Sequence, residues 1–72
     1  MSQEVSILIT VNGQVQQVPV GSTVLDLLKQ LEVLQPAIAV ERNSVICSQE
    51  QFGSTPIEDG DVFEIVSLVC GG

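Results

Sequence analysis

The chain has no histidine, tryptophan or tyrosine, and only two of its 72 residues are cysteines. A tetrahedral zinc site takes four Cys or His ligands, and a plant-type iron–sulfur cluster takes four thiolates. Neither site can be built within one such chain. A nucleophile that depends on a histidine base is excluded as well. The sequence therefore predicts neither a metal site nor a catalytic triad.

Basic residues are also scarce. Only Lys29 and Arg42 balance nine acidic residues, which gives a formal charge of −7. Nucleic acid is bound by clustered Lys and Arg, so the composition argues against a nucleic-acid partner and favours a basic protein surface. Solubility alone is the alternative explanation of the charge.

No uninterrupted apolar stretch approaches the roughly 18 residues of a membrane span, although 44% of the residues are hydrophobic. The start of the chain does not have the form of a secretory leader. We therefore expect a cytoplasmic protein with no membrane partner and with free thiols. The length predicts one domain over residues 1–72 that ends in a flexible Gly-Gly tail at residues 70–72.

The sequence does contain ordered structural signals, beginning with a hairpin. Residues 5–11 (VSILITV) are apolar and rich in β-branched side chains, and residues 14–20 (QVQQVPV) are typical of a return strand. Between them, Asn12 and Gly13 suit the two positive φ angles of a type I′ turn. These residues predict an opening β-hairpin.

A helix is predicted after the hairpin. Thr23 and Asp26 have the spacing of a capping box at its start. Pro36 is expected to bound its end, since the residue before a proline disfavours the α region. An apolar stripe at helical spacing should pack on the hairpin. The stripe consists of Val24, Leu27, Leu28 and Leu31.

The second half of the chain predicts a short strand pair and a final strand, so the order of elements is that of a β-grasp. This is an α+β fold with a mixed β-sheet packed on one main helix. We expect the last strand to lie beside the first, because both have the apolar character of central strands. The segments are a strand at 37–42, a strand at 45–47, a loop or single turn at 48–55 with Phe52 as core anchor, a turn at 56–61 and a strand at 62–69.

Alternation along the final strand separates a core face from an exposed face. Phe63 and Ile65 are the better candidates for the core, which leaves Val66 and Leu68 exposed just before the terminal glycines. Two exposed aliphatic side chains at this place indicate a docking patch. Ordinary apolar surface is the alternative.

Several segments carry a family resemblance. They are VNG in the hairpin, TVLDLLKQL in the helix, IAVERN in the third strand, STPIEDGDVFEIVSLV before the tail, and the terminal Gly71 and Gly72. With these segments the whole chain resembles the ThiS family of sulfur carriers in thiamin (thiazole) biosynthesis, small relatives of ubiquitin. The resemblance implies a ubiquitin-like β-grasp.

The resemblance also implies that the Gly72 carboxylate carries the chemistry. A ThiF-like adenylyltransferase would use ATP and Mg to adenylate it, a persulfide sulfur donor would convert it to a thiocarboxylate, and thiazole synthase would receive the sulfur. The chain would be a protein co-substrate, not an enzyme, with no cofactor of its own. Gly71 and Cys70 would give the tail access to the nucleotide. The expected partner-binding residues are Val66, Leu68, Glu64 and Asp61.

Both cysteines depart from the family pattern, in which Gly or Ala is usual at Cys70 and Pro is frequent at Cys47. We expect Cys47 to be a small buried hydrophobic residue. Cys70 is either a tolerated small residue or a thiol that reacts with the activated carboxyl group or with a partner cysteine.

Two alternative functions stay open at this point. A molybdopterin-synthase small subunit shares the fold, the Gly-Gly end and the sulfur chemistry. A ubiquitin-like protein modifier or binding module would instead form an isopeptide bond through Gly72 or only bind partners.

Overall fold

The computed structural model describes residues 5–67, and its elements follow the predicted order. A five-stranded sheet covers one α-helix and a short 3-10 helix. Within this range no helix has the length and apolar character needed to cross a membrane. The elements are β1 (Ser6–Val11), β2 (Gln14–Pro19), α1 (Val24–Gln30), β3 (Ile38–Arg42), β4 (Val45–Cys47), the 3-10 helix (Gln49–Ser54) and β5 (Val62–Ser67).

Strand β5 lies at the centre of the sheet, whose strand order is β2-β1-β5-β3-β4. It runs parallel to β1 and antiparallel to β3, while the two hairpins are antiparallel. The predicted α+β β-grasp is therefore confirmed, including the insertion of the last strand beside the first. Both of these apolar strands are interior, as their composition indicates.

Both hairpin turns place an asparagine at positive φ. Asn12 (50°) and Gly13 (84°) join β1 to β2, which confirms the predicted turn, and Asn43 (53°) and Ser44 (71°) join β3 to β4. Asparagine tolerates this region because its short polar side chain can form local hydrogen bonds. Two consecutive positive φ angles also match the right-handed twist of the flanking strands.

The predicted capping box at the start of α1 is confirmed. Thr23 Oγ1 accepts a hydrogen bond from the Asp26 N–H at 3.2 Å, and Asp26 Oδ2 accepts one from the Thr23 N–H at 3.0 Å. The bond from the Thr23 backbone is the main cause that lowers the pKa of Asp26. The carboxylate also lies at the positive end of the helix dipole.

The helix ends earlier than Pro36, so the prediction that this proline bounds it is wrong. Glu32 takes φ 60° just after the last turn. The Val33 N–H then reaches back to the Leu28 carbonyl at 3.1 Å, and the Glu32 N–H reaches the Lys29 carbonyl at 3.1 Å. These two bonds form a Schellman motif, which satisfies the last carbonyls before the proline is reached.

The core lies between the sheet and the two helices. The predicted stripe of α1 is confirmed, because Val24, Leu27 and Leu28 are fully buried and Leu31 packs against them. Phe52, 4% exposed, is the predicted anchor. Its segment is not a loop or a single turn but a six-residue 3-10 helix. The buried core residues are Ile9, Val11, Val18, Val24, Leu27, Leu28, Ile38, Val40, Cys47, Phe52, Ile57 and Phe63.

The loop before β5 is held by one buried carboxylate, that of Asp61. Its Oδ2 accepts hydrogen bonds from Arg42 Nε and from the Glu58 N–H, both at 2.9 Å, and its Oδ1 accepts one from Asn43 Nδ2 at 3.1 Å. A flip of the Asn43 side-chain amide would break a second hydrogen bond, since its Oδ1 accepts from the Val62 N–H at 2.9 Å. Burial raises the pKa of Asp61, but these hydrogen bonds outweigh it and the pKa is lowered.

We expect Asp61→Asn to lower the free energy of unfolding by about 3 kcal/mol at neutral pH. An amide at this position turns an N–H donor toward Arg42 and Glu58 or toward Asn43. Because the folded-state pKa is lowered, the carboxylate stabilises the fold above its unfolded pKa of about 3.9, and this contribution disappears as the pH falls through the folded value. Urea unfolding at neutral pH and at about pH 3 measures the difference.

Asp59→Asn is the matched control. Asp59 is exposed and accepts one hydrogen bond, from the Leu8 N–H at 2.9 Å, through Oδ1. An asparagine keeps that oxygen, so we expect a loss of about 1 kcal/mol or less. Equal losses for the two variants would contradict the role assigned to Asp61.

Candidate functional site

The face of the sheet that points away from α1 carries large exposed aliphatic side chains. Residues paired in register share a face, so the strand pairings define this surface, which we call the open face. Five of the nine large hydrophobic residues exposed within residues 5–67 lie on it. Clustered exposed aliphatic side chains are typical of interaction surfaces, so this face is the candidate site. The open face consists of Leu8, Thr10, Val15, Gln17, Ala39, Glu41, Ile46, Val62, Glu64 and Val66.

Strand β5 crosses the middle of the open face. Val66 is 53% exposed, and Glu64 is exposed beside it, while Phe63 is fully buried and Ile65 is half-buried. The facing predicted for this strand is thus confirmed in its described part. Contact of Val66 and Glu64 with a partner stays a prediction.

The other predicted site residues lie beyond β5. Leu68, Cys70, Gly71 and Gly72 are outside the described residues. Leu68 follows Ser67 directly in the chain, and Cys70, Gly71 and Gly72 lie within five positions of it.

Asp61 does not lie on the open face, contrary to what its place among the predicted partner-binding residues implies. It is 6% exposed, and three donors occupy its carboxylate. A docking charge has to face solvent, and this one is already paired with Arg42. Sequence spacing could not reveal the burial, because Arg42 and Asn43 reach Asp61 from the β3–β4 hairpin, 19 and 18 positions away in the chain.

Two glutamates face each other at the centre of the open face. Glu41 on β3 and Glu64 on β5 are paired in register, which places their Cβ atoms roughly 5 Å apart. Neither has an ion-pair partner within residues 5–67. Like charges directly opposite each other destabilise a sheet. Val62 and Val66 flank the pair along β5, so the centre of the face is acidic with an aliphatic surround.

Sequence reasoning missed most of this face, including Leu8, Glu41 and Ile46. The exposure of Leu8 could have been predicted from alternation in β1, where Ile7, Ile9 and Val11 lie on the core side. Glu41 and Ile46 are paired across β3 and β4. They come beside Glu64 only through the pairing of β3 with β5, which joins distant parts of the chain and has no local signal in the sequence.

Cys47 is 8% exposed and contributes to the core, which confirms the role predicted for it. Its Sγ lies 3.8 Å from Thr55 Oγ1 and 3.9 Å from the Ser48 carbonyl oxygen. It pairs with Val40 and points toward α1, so it lies on the opposite side of the sheet from the open face.

The mixed sheet, the single α-helix and the exposed sheet face define a ubiquitin-like β-grasp protein. The crystal structure of a thiamine biosynthesis protein (ThiS) from Geobacter metallireducens matches with a TM-score of 0.78 and 33% identity, over 92% of this chain and 100% of that chain.

The ThiS family model matches residues 9–72, so this chain belongs to the ThiS family. The sulfur carrier protein ThiS of Escherichia coli strain K12 is 34% identical over 61 residues, which make up 85% of this chain and 92% of that protein. A thiazole synthase of Paramagnetospirillum magneticum is 34% identical over 64 residues, 89% of this chain. The chain spans only 20% of the length of that synthase.

We expect Glu41→Gln to raise the free energy of unfolding by about 0.5 kcal/mol, because it removes the repulsion between Glu41 and Glu64. Urea unfolding at low ionic strength measures the gain, and added salt should reduce it by screening the pair. Glu50→Gln is the control, since Glu50 lies on the 3-10 helix on the other side of the sheet. A loss of stability on changing Glu41 would contradict the repulsion.

Proposed function

We propose that this chain is a sulfur carrier of thiamin biosynthesis that carries sulfur as a thiocarboxylate on Gly72. One observation carries the proposal: the ThiS family match extends through residue 72 and so includes both glycines. The near-complete coverage of the Escherichia coli sulfur carrier supports it. Family membership favours this role over the molybdopterin-synthase and protein-modifier alternatives.

The proposed chemistry begins at a carboxylate, which is a poor electrophile. A ThiF-like adenylyltransferase with Mg-ATP joins a Gly72 oxygen to the α-phosphate, and pyrophosphate leaves. The terminal sulfur of a persulfide donor then displaces AMP, and a thiol cleaves the resulting acyl disulfide to leave the thiocarboxylate. Gly71 and Gly72 suit this step because a backbone without Cβ atoms passes through a narrow channel. The chain is a co-substrate, and catalysis belongs to its partners.

Thiazole synthase is the proposed sulfur acceptor. The match to this chain covers 20% of the Paramagnetospirillum magneticum thiazole synthase. That protein therefore contains a segment similar to this chain within a synthase polypeptide. Two activities joined in one polypeptide are expected to act on each other. We infer that the present chain serves such a synthase.

The open face is the proposed docking surface for these partners. Its aliphatic side chains supply the apolar centre of an interface, and the pair of Glu41 and Glu64 favours a cationic side chain from the partner. The net charge of −7 would add long-range attraction to a basic surface. Asp61 is left out of this surface because its carboxylate is occupied.

Intact-mass spectrometry of the protein from sulfur-replete cells tests the chemistry. We expect a fraction whose mass is higher by the exchange of one oxygen for one sulfur, located at Gly72 by fragmentation. Deletion of Gly72 should abolish the modified fraction and the ability to support thiazole formation. A tail that is never modified, or a deletion variant with full activity, would exclude the carrier role and favour a binding module.

A pair of valine variants tests the docking surface. We expect Val66→Ser to lower kcat/KM for adenylation roughly tenfold, as truncation of an apolar residue at the centre of an interface does. Val45→Ser is the matched control, because Val45 is 67% exposed but pairs with Arg42 and so lies on the other side of the sheet. Pyrophosphate release against carrier concentration is the measurement, and equal effects of both changes would argue against docking on the open face.

A further inference from the structure

The hydrogen bonds between β1 and β5 continue beyond the end of β1. In the regular part, the Thr10 N–H donates to the Asp61 carbonyl at 3.0 Å and the Asn12 N–H donates to the Phe63 carbonyl at 2.9 Å. The next two bonds of a parallel ladder would join the Ile65 N–H to the backbone carbonyl of Asn12 and the Ile65 carbonyl to the Gln14 N–H. The turn at Asn12 and Gly13 carries that backbone away toward β2.

The Asn12 side chain makes both of these bonds instead. Its Oδ1 accepts from the Ile65 N–H at 2.8 Å, and its Nδ2 donates to the Ile65 carbonyl at 3.1 Å. A carboxamide offers one carbonyl oxygen and N–H donors, as a peptide group does. The side chain therefore acts as one additional peptide unit of β1, and it extends the pairing of β5 toward the tail.

Ile65 is a sensitive place for such a contact. It lies between Glu64 and Val66 of the open face, two positions before Ser67, the last described residue. On its other edge β5 pairs with β3, where Val40 is opposite Ile65 and Ile38 is opposite Ser67. Asn12 takes both backbone hydrogen-bonding groups of Ile65, and β3 pairs along the other edge of the strand, so the last described part of β5 is held on both edges.

We propose that Asn12 is a positioning residue for activation of the Gly72 carboxylate, an inference that rests on the proposed sulfur-carrier function. By holding the Ile65 peptide, it fixes the last part of β5 in relation to the open face. A partner bound on that face then receives the tail along a defined direction. Without the contact, the carboxylate of a bound chain reaches the nucleotide in productive geometry less often.

The opposite end of β5 provides a matched comparison. Asn43 has the same turn position and backbone conformation as Asn12. Its Oδ1 accepts from the Val62 N–H at 2.9 Å and its Nδ2 donates to Asp61 at 3.1 Å, so it holds the start of β5, away from the tail. Both asparagines stabilise the strand, but only Asn12 acts on the part that leads to the tail.

The test is Asn12→Gly, measured with the full chain, the adenylyltransferase and Mg-ATP at a temperature at which every variant is folded. Glycine adopts φ 50° readily, so the turn is kept and the amide alone is lost. We expect kcat for pyrophosphate release to fall about tenfold, the loss of roughly one hydrogen bond in the transition state, with KM changed less than about twofold. Amide exchange at the Ile65 N–H should accelerate more than at Phe63.

Asn43→Gly is the control, and it should lower the unfolding midpoint more than Asn12→Gly because it also removes a contact to Asp61. Its kcat should nevertheless stay within about twofold of the unchanged chain. Unchanged kcat for Asn12→Gly, or equal losses in the two variants, would overturn the assignment. If the unchanged chain itself is never adenylated, the proposed function fails and this inference with it, whereas adenylation of the unchanged chain isolates the failure to Asn12.

Discussion

The structure depends on the pairing of β5 with β1 on one side and with β3 on the other. Without this strand the two hairpins share no neighbour in the sheet, and Phe63, the largest fully buried side chain, is absent from the core. The pairing with β1 joins residues more than fifty positions apart, such as Thr10 and Val62. The entropic cost of closing this loop is therefore high, and the burial of the apolar face of β5 has to offset that cost.

Short polar side chains complete this pairing where the backbone cannot. Asn12 bonds to Ile65, Asp59 to Leu8, and Asn43 to Val62, and in each case a side-chain oxygen takes the place of a backbone carbonyl. Backbone groups of the central strand β5 therefore have hydrogen-bond partners near its ends as well as along its length. No buried side-chain nitrogen or oxygen within residues 5–67 lacks a hydrogen-bond partner. A chain of this size buries a modest core, so an unpaired polar group would remove a large part of its stability.

The sequence predicted the local structure well, because the signals that determine it are local. The Asn-Gly turn, the capping box of Thr23 and Asp26, the helix stripe and the Phe52 anchor each depend on residues a few positions apart. The β-grasp order followed from these elements and from the apolar character of the two terminal strands.

The site was predicted only in part. Val66 and Glu64 were placed on the correct face by alternation, whereas the pairing of Glu41 with Glu64 and the burial of Asp61 depend on register and on contacts between hairpins. The end of α1 was misjudged for a different, local reason, since a non-glycine residue, Glu32, adopts the left-handed conformation.

The open face is assembled only when the whole chain has folded. Leu8 comes from the first strand, Glu41 and Ile46 from the second hairpin, and Val66 from the last strand, so no single hairpin presents the acidic pair with its aliphatic surround. Glu41 and Glu64 repel each other in the free domain. The packing on the opposite side of the sheet, where Phe63 and Val40 are fully buried, offsets this destabilisation. A partner that recognises the face thereby selects folded chains, and the strand that completes the core is the one that leads to the terminal glycines. In the proposed carrier function, folding, docking and delivery of the tail are therefore coupled through β5.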